Sequence, residues 1–300
     1  MFAKLKTAWD SDLVWSWRHS PVAIAATIMA LLLFIGALGA RWVAPYDPFD
    51  LTSIDLMDAL LAPAWSENGS PQYWLGTDSQ GRDLYSALLY GTRTSLLIGL
   101  ASVALSMVVG IVLGLLAGYS GGRVDAFIMR VADVQLSFPA ILIALLIDGV
   151  ARAVFPLNMH DVVAFPVLIG AIALAGWPQY ARTVRGSTLV EKNREYVQAA
   201  RVIGVSSPRI MFSHVLPNVM GPVLVLATVH LATAIITEAT LSFLGVGVPA
   251  TSPSLGTLIR IGNDFLFSGE WWITIFPGLM LVLLVLSVNL LGDWLRDALN

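Results

Sequence analysis

At 300 residues the chain could hold one or two soluble domains, but 57% of it is hydrophobic and only 12% is charged. Counting Gly and leaving out Tyr brings the apolar share to about 63%, against ~45–50% for a soluble domain, and charge is about half of the usual ~25%. So few charges cannot clothe a soluble surface, and so much apolar surface excludes a disordered chain; the composition predicts an integral membrane protein.

The chain has no cysteine. That excludes a disulfide framework, a thiol nucleophile, a cysteine-ligated metal and a lipidated cysteine. A net charge of −3 gives no electrostatic footprint for nucleic acid.

A bilayer core ~30 Å thick needs about 20 apolar residues in a helix. A cytoplasmic tail at 1–19 precedes the first uncharged stretch, 20–40. Lys4, Lys6 and Arg18 flank it, as in a signal peptide, but its apolar core of about 19 residues exceeds the 7–15 of such a leader. It is read as a retained first transmembrane helix.

The outward segment 41–93 follows. Its front half is rich in Asp and Pro and is expected to be loop with short helical turns. Asp78 or Ser79 is expected to cap a helix that begins near Arg82 and leads into the second span. Arg82, Asp83 and Arg93 are candidates for a polar network at the outer interface. A capped helix start accounts for the same residues without any function.

The second span is 94–122. Gly110, Gly114 and Gly118 form two overlapping G-x-x-x-G units on one helix face, a feature for close helix packing. A weaker span, 126–147, carries Arg130 and Asp133, which at i,i+3 can pair on one face. The next is 162–181. Pro139, Pro166 and Pro178 can bend their helices, with neighbouring helices satisfying the freed carbonyls.

The segment 182–217 is too long for a connector, and long ordered loops usually carry function. It reads as two short helices. The first runs over 187–203 and is closed by Gly204 in a left-handed conformation. The second has Ser207 as N-cap and Pro208 at its first position, and ends where Pro217 begins the next span. Glu195 and Ala199 lie i,i+4 with Ala200 beside them, and Arg194 and Arg201 flank them. That face suits a protein partner. An ordinary amphipathic helix pair on the membrane surface fits the same residues.

The fifth span is 215–237. Glu238 lies near its outer end, where an acid is costly and invites a role: structural bonding or subunit contact, or lining of a pathway. Thr237 and Thr240 adjoin it as hydrogen-bond partners. His230 reads as a packed helix residue. The uncharged stretch 239–259 ends in GVGVPATSPSLG and reads as loop. The sixth span is 271–292. With both termini inside, 12 of the 17 Lys and Arg residues fall on the cytoplasmic side, which sets the orientation.

Three catalytic or transport alternatives can be weighed on residues. None of the three lysines, Lys4, Lys6 and Lys192, follows a glycine, so a P-loop is excluded and ATP energy must come from another chain. Residues 118–122 read G-x-S-x-G around Ser120, and the first four are similar to the G-x-S-G of rhomboid intramembrane proteases. With His230 in a span, that is the best enzyme alternative. A nucleophile elbow, however, needs a strand–turn–helix context, and Ser120 ends a helix. An ion-coupled secondary transporter would show internal repeats and midplane ionisable groups. No clear repeat is present and Glu238 lies off-centre. The four histidines, at 19, 160, 214 and 230, have no metal-site spacing.

Two motifs carry a family resemblance. EYVQAARVIG followed by VLPN, with Glu195, Ala199, Ala200, Arg201, Gly204, Leu216 and Pro217, resembles the EAA loop of ABC-importer permeases. In the peptide-permease form that loop reads E-[YF]-V-x-A-A-R-x-x-G, then L-P-N. His214 departs from it, standing where an aliphatic residue is common. LGTDSQGRD followed by SALLYGTRTSL, with Gly76, Thr77, Asp78, Gly81, Arg82 and Asp83, is similar to LGTDxxGRDxxSRLxYGxRxSL. That signature marks the C-type subunit of dipeptide, oligopeptide and nickel permeases. Ala87 stands where an Arg is common.

The resemblance covers about 20–300. It implies an all-α type I importer permease fold, MetI-like, with a five-helix core over 94–300. It implies a multi-pass inner-membrane subunit that forms half of a translocation pathway, with no catalytic residue, metal or cofactor of its own. The EAA loop would be the coupling helix. Expected partners are a homologous B-type permease, two ATPase subunits holding ATP and Mg, an outer substrate-binding protein and membrane lipid. Peptides are the default cargo, with nickel, opines, glutathione or oligosaccharides as alternatives.

Overall fold

A computed structural model describes residues 12–50, 54–249 and 251–299. Lys4 and Lys6, part of the orientation argument, lie outside the described residues. Among those described, every named element is a helix and none is a strand. Among the described residues, five helices are long and apolar enough to cross a membrane, and a bent pair makes a sixth if its two halves form one span.

Helix α1 (Asp12–His19) falls within the expected tail. Helix α2 (Pro21–Leu38) starts as its sequence dictates: Ser20 caps it by accepting from the Ala23 N–H, and Pro21 takes the first turn, where no N–H is needed. Ala23, Ala26, Ala30 and Ala37 are buried on one side. Leu31, Leu32 and Ile35 stay exposed on the other, as a lipid-facing helix requires.

Helix α3 (Leu84–Ser120) is capped by Asp83, which accepts from the Ser86 N–H at 2.9 Å. The expected cap at Asp78 or Ser79, with a start near Arg82, is therefore two to five residues early. The reason is local: Gly81 holds a positive φ of +78°, and Asp78 is committed to the turn in front of the helix.

Helix α4 (Gly122–Leu136) and helix α5 (Ala140–Val154) meet at 90°. The expected single span over 126–147 is thus two helices. Pro139 explains the break, because it forces Phe138 out of the helical region and cannot donate to the preceding turn. The Arg130–Asp133 pair does not form either. Asp133 bonds Arg182 on the next long helix.

That helix is α6 (His160–Glu191), unbroken through Pro166 and Pro178. Pro178 leaves the Leu174 carbonyl without its helical partner, and Gln135 of α4 donates its side-chain amide to it. The expectation that neighbours satisfy such groups is met here. Helices α3 and α6 pack backbone to backbone along the glycine face. A Cβ added at Gly110 would lie 2.3 Å from the Tyr180 Cβ, and one at Gly114 would lie 2.6 Å from the Ala181 carbonyl oxygen.

The EAA loop differs from expectation at both ends. Residues 187–191 belong to α6, the chain breaks at 192–194, and a separate helix α7 (Glu195–Val202) follows. Gly204 closes it at φ +81°, with the Val205 N–H reaching back to the Ala200 carbonyl at 3.0 Å. The next turn, Ser207–Ile210, is preceded by Ser206 at the cap position, without a side-chain cap bond, so Ser207 is not the N-cap. A π-helical turn, Met211–Val215, then runs directly into α8 (Leu216–Phe243). Pro217 therefore sits inside continuous helix. The wide π turn tolerates a proline that would clash with the carbonyl four residues back in an ordinary helix.

The stretch 239–259 is only partly loop. Its first residues complete α8. After a turn at Gly245, helix α9 (Leu255–Asn263) begins behind Ser254, which accepts from the Thr257 N–H. Gly256 rests on α8, where an added Cβ would lie 2.3 Å from the Ala239 carbonyl oxygen. Helix α10 (Trp272–Leu299) is the last span. One core cluster gathers Leu84, Leu96, Ile235, Leu258, Trp272 and Leu284; a second, under the EAA loop, gathers Leu115, Tyr180, Val184, Val197, Val215 and Val219.

Candidate functional site

In α7 the eight residues EYVQAARV have two faces. Val197 and Ala200 are buried in the second core cluster with Leu115, Tyr180 and Val219, and Leu216 packs against the same group. Glu195, Ala199, Arg201, Gly204 and Pro217 are exposed. Ala200 is therefore not on the face that carries Glu195 and Ala199; one residue is about 100° of helix turn. Ala200 roots the helix and Ala199 presents it.

The exposed side holds two residues that motif reading passed over. Val202 is 87% exposed and Ile203 79%, at the tip before Gly204. Two large exposed apolar side chains outside the candidate spans are a signal for a protein contact. Their place directly before a C-capping glycine is visible in the sequence.

Polar bonds hold this tip in place. Lys192 donates through Nζ to the Gly118 carbonyl at 2.7 Å, which caps α3. Arg185 forks onto Asp125 of α4. The Arg201 guanidinium lies 5.1 Å from the centre of the Tyr119 ring. Tyr196 donates its hydroxyl to Glu191 at 2.6 Å and accepts from the Asn218 amide at 3.1 Å. Burial, then the Glu191 carboxylate, pushes the Tyr196 phenol above its usual range. Tyr196 and Asn218 thus fasten α7 to α8 and Arg201 fastens it to α3, all from within the EAA pattern, while Lys192 lies just before it.

The outer motif is built in the opposite sense. Asp78 and Arg82 are 1% and 3% exposed, and Thr77 is fully buried. Asp78 receives the Arg82 guanidinium at 2.6 Å, and its other oxygen accepts the Gln80 and Arg82 N–H groups at 2.9 and 3.0 Å. Thr77 donates to the Asp58 carbonyl and accepts from the Leu61 N–H, while its own carbonyl accepts from the Trp272 indole at 3.1 Å. Gly76 and Gly81 both hold positive φ, where a Cβ would meet the carbonyl oxygens of Leu61 and Asp55 at 2.5 and 2.1 Å. Asp83 bonds Ser86, and Arg93 joins neither Arg82 nor Asp83 among the described contacts. The expected Arg82–Asp83–Arg93 network is replaced by a buried Asp78–Arg82 turn. Nearby, Tyr73 donates to Asp58 at 2.7 Å, and burial and that carboxylate push its phenol up.

Glu238 is fully buried. It accepts from Ser95 of α3 and Ser242 of its own helix, each at 2.7 Å, and Ser95 in turn accepts from the Leu255 N–H that opens α9. The acid ties three helices together. Thr237 and Thr240 do not bond it. Their hydroxyls donate to carbonyls four residues back in α8, the local option open to any helical Thr. Ser120 is the last residue of α3, whereas His230 lies in mid-α8 and bonds Gln179. No Ser120–His230 hydrogen bond is among the described contacts, so a nucleophile–base pair is not formed. Among the described residues, no group of three or more His, Asp and Glu side chains is placed to hold a metal.

Comparison with known proteins fits this architecture. The family described as "Binding-protein-dependent transport system inner membrane component" matches residues 110–300. The Di/tripeptide transport system permease protein DppC of Pseudomonas aeruginosa is 42% identical over 297 residues, spanning 99% of this chain and 91% of that one. The Glutathione transport system permease protein GsiD of Pectobacterium atrosepticum is 38% identical over 308 residues, spanning 100% and 96%. Among solved structures, an inward-facing MetNI methionine ABC transporter aligns with a TM-score of 0.57 at 20% identity, over 72% of this chain and 98% of that one. That likeness shows the fold: an all-helical, MetI-like permease. By sequence and fold together, the chain belongs to the inner-membrane permease family of binding-protein-dependent ABC importers.

Proposed function

We propose that this chain is the C-type permease of an ATP-driven importer of di- and tripeptides. It would pair with a homologous B-type permease and enclose half of the pathway. Two partner subunits would hold ATP and Mg and carry out hydrolysis; this chain has no P-loop lysine and does no chemistry of its own. A binding protein on the outer side would deliver cargo. The Lys and Arg distribution supports cytoplasmic termini and a cytoplasmic α7.

One observation carries the coupling reading: α7 is rooted by Val197 and Ala200 and offers Glu195, Ala199, Val202 and Ile203 outward. A rooted helix with an apolar tip transmits force, because its partner cannot move it without moving α3, α6 and α8. ATP-driven closure of the ATPase pair would tilt α7, and the cavity between the two permeases would switch its access. Such a switch needs ligands that bind its two states differently, here ATP and the loaded binding protein.

The test is a charge on the tip. Ile203→Asp should insert normally, lose co-purification of the ATPase subunits, and lose ATP-dependent uptake of a labelled dipeptide. Full uptake by that variant would remove α7 as the coupling element. The glutathione permease relative supports glutathione, itself a tripeptide, as the second cargo to assay.

A further inference from the structure

Midway along the bundle, α3, α6 and α8 leave a cleft of about 90 Å³. That is well above the ~10–15 Å³ a single water needs. Three observations mark it. First, His230, Thr233, Thr237 and Thr240 recur at steps of three and four along α8 and so share one face of a largely apolar helix; all but Thr240 line the cleft. Second, Ser102 of α3 lines the same space, and its fully buried hydroxyl has no partner among the described residues. Third, His230 donates through Nε2 to Gln179 Oε1 at 2.6 Å, and the Gln179 amide nitrogen donates to no described group. Each of these groups has hydrogen-bonding capacity left over. No Asp, Glu, Lys or Arg lines the cleft.

Polar groups left against hydrocarbon are costly, so this face meets water or protein rather than lipid. The other side of α8 shows the contrast. There a groove of about 300 Å³ runs between α2, α8 and α10, lined by Ala30, Leu31, Phe34, Leu231 and Leu291.

We infer that the Ser102–Gln179–His230–Thr233–Thr237 cleft is this chain's part of the pathway wall, and that it takes the neutral amide backbone of a passing peptide. Spare donors at Ser102 and Gln179 match a peptide carbonyl, and threonine and serine lone pairs match its N–H. The lack of charge leaves the wall indifferent to the cargo's side-chain charge. It also keeps binding weak enough for release, as conduction requires. The assignment deepens the importer reading and rests on it.

The absence of natural cysteine gives a clean test. Single Thr233→Cys, Thr237→Cys, Leu32→Cys and Ile35→Cys variants are made in the full importer in native membranes and exposed to a water-soluble methanethiosulfonate. Modification of this chain is read by mass. The two cleft cysteines should react at least about tenfold faster than the two on α2, and their modification should block uptake of radiolabelled glycylglycine. Thr233→Val, which keeps the shape and loses the hydroxyl, should lower that uptake up to about tenfold, and Thr233→Ser should restore most of it. Cleft cysteines as unreactive as those on α2 would overturn the assignment, as would Thr233→Val uptake equal to wild type. Wild-type importer that takes up no glycylglycine would instead sink the peptide reading, with reagent access still deciding whether the cleft is wet.

Discussion

The two motif regions face opposite ways. In the outer segment the motif side chains point inward: Thr77, Asp78, Arg82 and Asp83 are all buried. In the EAA loop Glu195, Ala199, Arg201 and Gly204 are exposed, and Val197, Ala200 and Leu216 turn in. A motif can thus mark a turn the fold needs or a surface a partner needs, and burial separates the two. Lesions in the outer motif should act on stability. Lesions in the exposed part of the loop should act on coupling while the protein accumulates normally.

The largest effect is expected at Asp78. Asp78→Ala strands the Arg82 guanidinium in a site 3% exposed to solvent, with one of its nitrogens already lacking a partner. Breaking a buried pair this way costs about 3–5 kcal/mol. The variant should fail to accumulate in membranes, and the double variant Asp78→Ala, Arg82→Met should recover part of the loss. Wild-type levels of the single variant in a quantitative blot would place the turn outside the stability-determining core.

Next comes a pair of neighbours that sharpens the contrast within the loop. Ala200→Asp buries a carboxylate among Val197, Tyr180 and Val219, whereas Ala199→Asp leaves one in water. An unpaired buried charge costs several kcal/mol. The first should loosen α7 and raise its protease sensitivity. The second should leave protease resistance intact and reduce ATPase-subunit co-purification. Equal protease patterns would show that α7 is not rooted through Ala200.

How much of this was legible in the sequence follows the same division. Spans with clean apolar runs and capping residues, such as Ser20–Pro21 ahead of α2, read directly because local chemistry decides them. The glycine face of α3 read directly because its period matches one helix surface. The 90° bend at Pro139 did not, since an apolar run looks alike whether straight or broken. Helix α9 was hidden in a Pro- and Gly-rich stretch because its glycine serves packing against Ala239 rather than a turn. Asp133 was assigned to Arg130 because i,i+3 neighbours are visible in sequence and Arg182, 49 residues away, is not. The polar stripe of α8 was spelled in the sequence at 230, 233, 237 and 240. It goes unread because Glu238 claims Thr237 and Thr240 as neighbours, and His230 alone reads as packing; the structure instead bonds each threonine hydroxyl to its own helix.

The smallest expected effect tests how the loop is held rather than what it presents. Tyr196→Phe removes the bonds to Glu191 and Asn218 and keeps the ring, a loss of about 0.5–1.5 kcal/mol. Uptake should fall by no more than a few fold, with ATPase subunits still bound. The phenol's acidity gives an independent check. Burial and the Glu191 carboxylate raise its pKa above the ordinary 10.0, so the folded loop holds the proton more tightly than the unfolded chain does. The contribution is then fully present below pH 10 and is lost as pH rises through the folded value. Protease protection of α7 in wild type should therefore drop on the alkaline side, and Tyr196→Phe should flatten that drop. An identical alkaline profile in both proteins would show that the Tyr196 hydroxyl does not fasten α7 to α8.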